Sequence, residues 1–242
     1  MQSTLKHYVQ KDRIHLAIIM DGNRRWAARH GVDHCRGHEA GAEALRRIVQ
    51  AAPDLGIGTL TVYAFASENW RRPAEETAAM MALFRRYLDS ETEALVRDGV
   101  RLSVIGRRDR MEPALVAEIA RSEAATQWGD AMHLRLAVDY SARAAILEAA
   151  RRAAADAGAE DFSARLAENL AGDCGDVDFL IRTANDHRLS DFLLWECAYA
   201  ELCFTPCLWP DFGEAELAAA LREFQGRIRA AGVARAVSTK AA

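Results

Sequence analysis

The chain has 242 residues, half of them hydrophobic, and a formal net charge of −4 at pH 7; this suits a domain with a sizeable core and argues against a nucleic-acid partner, so any anion site must be local. No apolar run approaches the roughly 20 residues that span a bilayer, and the N-terminus lacks a signal-peptide core. The five cysteines form no C-x-x-C pair, which is typical of reduced thiols, so we expect a cytoplasmic protein.

Apolar runs rich in β-branched residues alternate along the chain with segments of helical periodicity. We predict strands at 14–20, 59–66, 100–106, 132–140, 176–182 and 198–204. We predict helices at 23–31, 41–56, 73–99, 113–127, 142–158 and 214–232. This alternation implies crossover connections and a mostly parallel central sheet surrounded by helices. Because no Pro/Gly/Ser-rich linker divides the chain, we predict a single α/β domain over 1–242, with flexible segments at 1–13 and 233–242.

Polar clusters follow four of the predicted strands. They are Asp21-Gly22-Asn23-Arg24-Arg25, "SENWRRP" (67–73), "DYSAR" (139–143) and "RTANDHRLSDFLLWE" (182–196). Ligands of open parallel sheets bind outside the carboxyl ends of the strands, so these clusters are candidate site residues.

The first cluster combines a carboxylate with arginines at a helix start. Helix N-termini and guanidinium groups attract diphosphates. Asp21 would repel a diphosphate unless a divalent cation lay between them, so the cluster indicates a Mg²⁺-diphosphate site. Simpler readings stay open here: Asn23 as a helix cap, Gly22 as a turn, and His38 as a cap or surface residue. No P-loop or dinucleotide-binding pattern is present.

Five segments resemble the cis-prenyltransferase family and occur in the family's order. They are "HLAIIMDGNRRWA" (15–27), "GHEAG" (37–41), "YAFASENWRRP" (63–73), "RLSDFLLWECAYAEL" (188–202) and "LWPDF" (208–212). The resemblance implies a parallel sheet ringed by helices, a homodimer, and Mg²⁺-dependent condensation of isopentenyl diphosphate with an allylic diphosphate. It also implies a contact with the membrane surface for release of an apolar product.

The resemblance also assigns residues. Asp21 and Asn69 are the expected catalytic residues, and Asp21 and Glu201 the expected metal carboxylates. His34 stands where the family commonly has an arginine. The expected substrate-binding residues are Gly22, Asn23, Arg24, Arg25, Trp26, His34, His38, Ser67, Glu68, Trp70, Arg72, Arg182, Arg188 and Ser190.

Two loops depart from the family pattern. "DYSAR" replaces "NYGGR", and Arg182-Thr183-Ala184-Asn185-Asp186 replaces "RTGGE" or "RTSGE". The loss of glycines removes backbone freedom, and Asp186 keeps the charge of the missing Glu on a shorter stem. We expect a long-chain cis-polyprenyl diphosphate synthase. Because of these two departures, a short-chain cis-prenyl diphosphate synthase is the alternative. A non-catalytic partner subunit is a third alternative, disfavoured because Asp21 is retained.

The growing product needs an apolar tunnel. We expect Met81, Phe84 and Leu88, which share one face of the helix 73–99, to line it together with Val104. Ordinary core packing is the alternative for these residues.

Overall fold

Six strands form one sheet in the order β3-β4-β2-β1-β5-β6, and every neighbouring pair is parallel. The computed structural model describes residues 13–155, 162–171 and 174–238. The strands are β1 (Ile14–Ile19), β2 (Ile57–Ala66), β3 (Val100–Ile105), β4 (Met132–Tyr140), β5 (Phe179–Arg182) and β6 (Glu201–Phe204). This confirms the predicted single α/β domain with a parallel sheet.

Helices cover both faces of the sheet. They are α1 (Asn23–His30), α2 (His34–Ala51), α3 (Ala74–Arg97), α4 (Pro113–Thr126), α5 (Ala142–Ala155), α6 (Phe162–Ala171) and α7 (Glu214–Ser238). Short 3-10 helices occupy Pro53–Leu55, Ser67–Arg71 and Trp209–Asp211. No helix within the described ranges combines the length and hydrophobicity needed to cross a membrane.

The core lies in two layers, one on each face. The larger layer buries Leu16 and Ile18 of β1 against α2, α3, α4 and α7. The smaller layer buries Ala17 and Ile19 against α5 and the segment before β6. Because β1 is buried on both faces, it reads as a continuous apolar run rather than an alternating one.

Several predicted boundaries differ from the observed ones. Helix α2 begins at His34 instead of 41, because Asp33 caps it by accepting a hydrogen bond from the Cys35 N–H at 2.7 Å. The last two strands are shorter than predicted, and α6 was not predicted. Helix α7 continues to Ser238, through part of the predicted flexible tail. Residues 1–12, most of the predicted flexible N-terminal segment, lie outside the described residues, as do 156–161, 172–173 and 239–242.

Candidate active site

A cleft of about 520 Å³ lies at the carboxyl ends of β1, β2 and β5. It brings together twelve of the expected residues: Asp21, Gly22, Asn23, Arg24, Arg25, His38, Glu68, Asn69, Arg72, Arg182, Arg188 and Ser190. Five arginines and three carboxylates, the third being Asp186, line it. The excess of guanidinium groups makes the cleft a local anion site in a protein of net negative charge.

Asp21 is fixed by both its backbone and its carboxylate. Its N–H donates to Thr183 Oγ1 at 2.9 Å, and the Thr183 hydroxyl donates to its carbonyl at 2.6 Å. Its carboxylate accepts from Gly22 N–H at 2.8 Å and from Arg182 Nη2 at 3.0 Å. The carboxylate is therefore held at the cleft by β5 as well as by its own strand.

Arg182 organises the β5 side of the cleft. The residue is only 3% exposed, and its Nη1 donates to Ser190 Oγ at 2.7 Å and to the Arg188 carbonyl. Its Nη2 also lies 3.4 Å from Asp186 Oδ2. Burial with so many partners makes Arg182 a scaffold for the Arg188–Ser190 loop as well as a cation.

Asp186 is a site residue that the sequence assignment left out. It lies within ion-pair distance of Arg188 at 2.8 Å, Arg182 at 3.4 Å and Arg25 at 3.6 Å. A hydrogen bond with Asp21 and the neighbouring guanidinium groups of Arg188 and Arg182 hold the pKa of Asp186 below its usual range. The spacing of four residues from Arg182 is the signal that could have identified it.

Close backbone approach shapes the side of the cleft formed by α1 and α2. A Cβ at Gly37 would lie 2.3 Å from the Asn23 carbonyl oxygen, and one at Gly41 would lie 2.5 Å from Asn23 Oδ1. Only glycine permits this contact, which explains the "GHEAG" spacing of one helical turn. Asn23 Oδ1 is buried with no hydrogen-bond partner among the described residues.

His38 points into the cleft from within α2, not from a loop before it. Its Nε2 is buried and has no partner in the described part of the chain. Burial, and secondarily the charge of Arg72, lower the pKa of His38, so the neutral imidazole is favoured.

The 3-10 helix Ser67–Arg71 presents Glu68 and Asn69 to the cleft. Asn69 Oδ1 accepts a hydrogen bond from Ala66 N–H at 3.1 Å, which fixes the side chain at the end of β2. The neighbouring Ser67 and Trp70 do not line the cleft.

Three more expected residues also lie away from the cleft. Trp26 stacks on His30, and its Nε1 donates to Asp211 Oδ1 at 2.7 Å. His34 is exposed at the start of α2.

Glu201 is the third, and it lies at the other end of the sheet. It is in register with Phe179, and Phe179 with Leu16. At about 3.3 Å per residue, it falls roughly 16 Å short of Asp21 along the strand direction. Its carboxylate lies 3.4 Å from Arg227 Nη1 instead. Within one chain, Glu201 therefore does not join Asp21.

The side chains present fit a divalent cation that is held mainly by a phosphate-bearing ligand. No cluster of three metal-ligating side chains occurs among residues 13–155, 162–171 and 174–238. Mg²⁺ commonly binds one or two carboxylates together with substrate phosphates and water. Asp21, with Asp186 beside it, fits that donor set.

A small apolar cavity of about 100 Å³ adjoins the cleft and shares five lining residues with it. These shared residues are Met20, Asn23, His38, Ala64 and Met80. Phe84 lines the cavity as expected, together with Leu83 and Tyr87. The other tunnel residues differ from expectation: Met81 faces a groove against α4, Leu88 is buried in the core, and Val104 lines a separate cavity.

Comparison with known proteins places this arrangement in a family. The profile of the undecaprenyl diphosphate synthase (prenyltransferase) family matches residues 19–232. The chain belongs to this family.

Individual relatives agree with that placement. The chain is 55% identical to isoprenyl transferase 1 of Bradyrhizobium diazoefficiens, covering 94% of this chain and 93% of that one. It is 42% identical to a ditrans,polycis-undecaprenyl-diphosphate synthase, (2E,6E)-farnesyl-diphosphate specific, of Pseudomonas aeruginosa, covering 90% of each. The fold is similar to that of lavandulyl diphosphate synthase from Lavandula x intermedia in complex with dimethylallyl diphosphate. The TM-score is 0.83 at 35% identity, over 89% of this chain and 96% of that one.

Proposed function

We propose that this protein condenses isopentenyl diphosphate with an allylic diphosphate primer to make a Z-polyprenyl diphosphate. The observation that carries the proposal is the direct contact between a cationic cleft and an apolar cavity through five shared residues. An amphiphilic substrate with a diphosphate head and a hydrocarbon tail matches both parts. The names of the relatives support the same reaction.

The reaction forms a carbon–carbon bond between C4 of isopentenyl diphosphate and C1 of the primer. The allylic C–O bond of the primer breaks, and diphosphate leaves with the electron pair. A proton is lost from C2 of the isopentenyl unit. Arg24, Arg25 and Gly22 at the start of α1 bind the leaving diphosphate and stabilise its growing negative charge. Asp21 would hold Mg²⁺, which would supply further positive charge to the leaving diphosphate.

The second diphosphate lies on the β5 side. Arg188, Ser190 and the scaffold residue Arg182 bind isopentenyl diphosphate. Asn69 faces the space between the two diphosphates and orients the reacting carbon. An amide is a weak base. Two groups are therefore candidate proton acceptors: Asn69 and a diphosphate oxygen.

A homodimer and a membrane-surface contact complete the proposal. Because Glu201 lies at the far end of the sheet in its own chain, it can serve an Asp21 metal site only from a second copy. Exposed Leu147 and Tyr199 offer apolar surface for such a contact. The membrane-surface contact would serve the transfer of an apolar product to lipid. The five free cysteines suit a reaction in the reducing cytoplasm.

The small volume of the apolar cavity favours a short-chain cis-synthase as the alternative function. A cavity of about 100 Å³, lined by Phe84 and Tyr87 among others, has room for a short hydrocarbon tail only. The alternative is therefore a short-chain cis-synthase. A non-catalytic subunit is disfavoured because the Asp21 and Arg182 arrangement is complete.

One experiment tests the proposal. The pure protein is incubated with isopentenyl diphosphate, Mg²⁺ and dimethylallyl, geranyl or farnesyl diphosphate, and the products are sized by mass spectrometry. Long products support the leading function, and products extended by one or two units support the short-chain alternative. No elongation with any primer, by a protein that is folded by circular dichroism, would overturn both.

A further inference from the structure

An ion pair between a buried carboxylate and a partly exposed arginine lies beside the 3-10 helix that carries Asn69. Asp139, at the end of β4, is fully buried. Its Oδ2 accepts from Arg110 Nε at 2.9 Å, and its Oδ1 accepts from Arg110 Nη2. Two parallel hydrogen bonds between a guanidinium and a carboxylate fix the relative orientation of both groups.

The same carboxylate contacts the first residue of the helix. Ser67 Oγ donates to Asp139 Oδ1 at 2.8 Å. Neither Asp139 nor Arg110 lines the cleft that contains Asn69. Asp139 therefore contacts the Asn69 helix from outside the cleft, and Arg110 lines an adjacent cavity that shares Glu68 and Ser190 with it.

Arg110 contacts the helix at a second point. Its Cζ lies 5.5 Å from the centroid of the Trp70 ring, within the range of a cation–π contact. Trp70 in turn packs edge-on against Phe65 of β2, with ring centroids 5.2 Å apart. Ser67 and Trp70, on either side of Glu68 and Asn69, are thus both fixed by one ion pair.

The backbone is arranged to allow this approach. Gly106, with φ of +118°, brings the β3–α4 loop so close to β4 that a Cβ there would lie 2.1 Å from the Val138 carbonyl oxygen. Arg107 N–H donates to the Asp139 carbonyl at 3.1 Å. Asp139 itself has φ of +50°, a left-handed conformation that costs a non-glycine residue free energy. Such strain persists only where surrounding contacts hold it.

From these contacts we infer that Asp139 and Arg110 are positioning residues that set the rate of condensation by holding the helix Ser67–Arg71 so that Asn69 faces the reacting carbons. The inference rests on the proposed function. It assigns a role to two residues that do not line the Asn69 cleft and that act through Ser67 and Trp70.

The kinetic test is a double-mutant cycle. Asp139→Asn and Arg110→Gln are measured alone and combined with Asn69→Ala. We expect each to lower kcat by about 10- to 100-fold in the wild-type background, because small displacements of reacting groups have effects of that size. In the Asn69→Ala background the further loss should be less than about twofold, since the group being positioned is gone. Equal losses in both backgrounds would show a general structural role and overturn the inference.

A second measurement does not depend on turnover. Hydrogen exchange of a peptide covering 63–72 reports the amides of Ala66 and Arg72, which are bonded to Asn69. We expect faster exchange in both variants and no change in Arg107→Gln, whose side chain pairs with exposed Asp109 on the same loop. Unchanged protection in the Asp139 and Arg110 variants would overturn the inference. Wild-type protein that makes no product would instead refute the proposed function and with it the kinetic role, whereas the exchange result reports separately whether the ion pair holds the helix.

Discussion

Arg182 Nη2 lies 3.0 Å from Oδ2 of Asp21, so a buried cation on β5 and a carboxylate beyond β1 form one unit. From the sequence, Asp21 reads as an exposed carboxylate whose removal spares the fold. The structure adds that its loss leaves the buried guanidinium with fewer partners.

The first prediction therefore has two parts. Asp21→Ala should abolish condensation, and it should also lower the free energy of unfolding by about 1–3 kcal/mol, because the buried Arg182 loses a charged partner. Asp21→Asn keeps a hydrogen-bond acceptor and should cost less stability while remaining inactive. Turnover is measured with labelled isopentenyl diphosphate and stability by urea unfolding. Near wild-type turnover in either variant would refute the metal-diphosphate role.

The second prediction separates the two diphosphate sites. Arg188 is 63% exposed at its side chain and bonded mainly to Asp186, so Arg188→Ala should raise the KM for isopentenyl diphosphate by roughly 10- to 100-fold, the size of one charge-assisted hydrogen bond. Arg25→Ala should act more on the KM for the primer.

Arg182→Ala is a poor probe of either site, since its scaffold role would affect both. Arg29→Ala, an exposed arginine in the last turn of α1, is the matched control and should change neither constant. Identical effects of the Arg188 and Arg25 variants on both substrates would contradict the two-site assignment.

The third prediction concerns product length. Phe84→Ala should lengthen the products, because Phe84 lines the small apolar cavity beside the cleft. Met80→Ala should act in the same direction from the cleft end. Met81→Ala is the control: this side chain faces the α3–α4 groove and should leave the distribution unchanged. A change in Met81→Ala without one in Phe84→Ala would place the growing chain in that groove instead.

The fourth prediction tests the contact between α1 and α2. The Cβ of Gly41→Ala should push Asn23 and Trp209 away from α2. We expect this to lower the free energy of unfolding by about 1–3 kcal/mol and to weaken binding of the primer. Gly226→Ala, in a helix position with open space around it, should instead stabilise by roughly 0.5–1 kcal/mol. Thermal unfolding distinguishes them. A stabilised Gly41→Ala variant would mean that the close contact is absent in solution.

The fifth prediction follows from the lowered pKa of His38. The pKa of His38 in the unfolded chain is about 6.5, and its pKa in the folded protein is lower. At pH values between these two pKa values, the unfolded state binds more protons than the folded state. Stability from this group is complete above about pH 6.5 and is lost as the pH falls. The charged and titratable groups around it are Arg72, Glu76, Arg24 and His34. Urea unfolding between pH 5 and 8 should show a smaller acid loss in His38→Gln than in wild type, and parallel curves would contradict this.

The parallel sheet was predictable because its strands are apolar runs that alternate along the chain with segments of helical periodicity. The start of α2 was missed because "HCRGHEAG" has little apolar periodicity; its helix depends on the Asp33 cap and on glycines packed against Asn23. The sequence also placed Met81 in the tunnel instead of Met80. Helical periodicity fixes a face only to within about one residue, and the packing partners decide the rest.

Long-range pairings were outside the reach of local patterns. Arg182 and Asp21 are 161 residues apart, and no spacing rule relates them. The resemblance to the family identified both as site residues but gave no indication that they contact each other. Glu201 shows the converse, since a motif assigned it to the metal while the register of β6 set it at the far end of its own sheet.

Trp209 links two early segments of the chain beside the apolar cavity: its N–H donates to the Asp21 carbonyl, and its Nε1 donates to the Gly41 carbonyl at 2.8 Å. Gly41 and Trp209 are 168 residues apart, so at ribosomal speeds of about 5–20 residues per second their translation is separated by roughly 10–30 s. The residues around Asp21 and Asn23 thus leave the ribosome well before the tryptophan that anchors them exists. A nascent chain that has not yet been translated through Trp209 lacks this pocket, and binding competence arises only after that residue has left the ribosome.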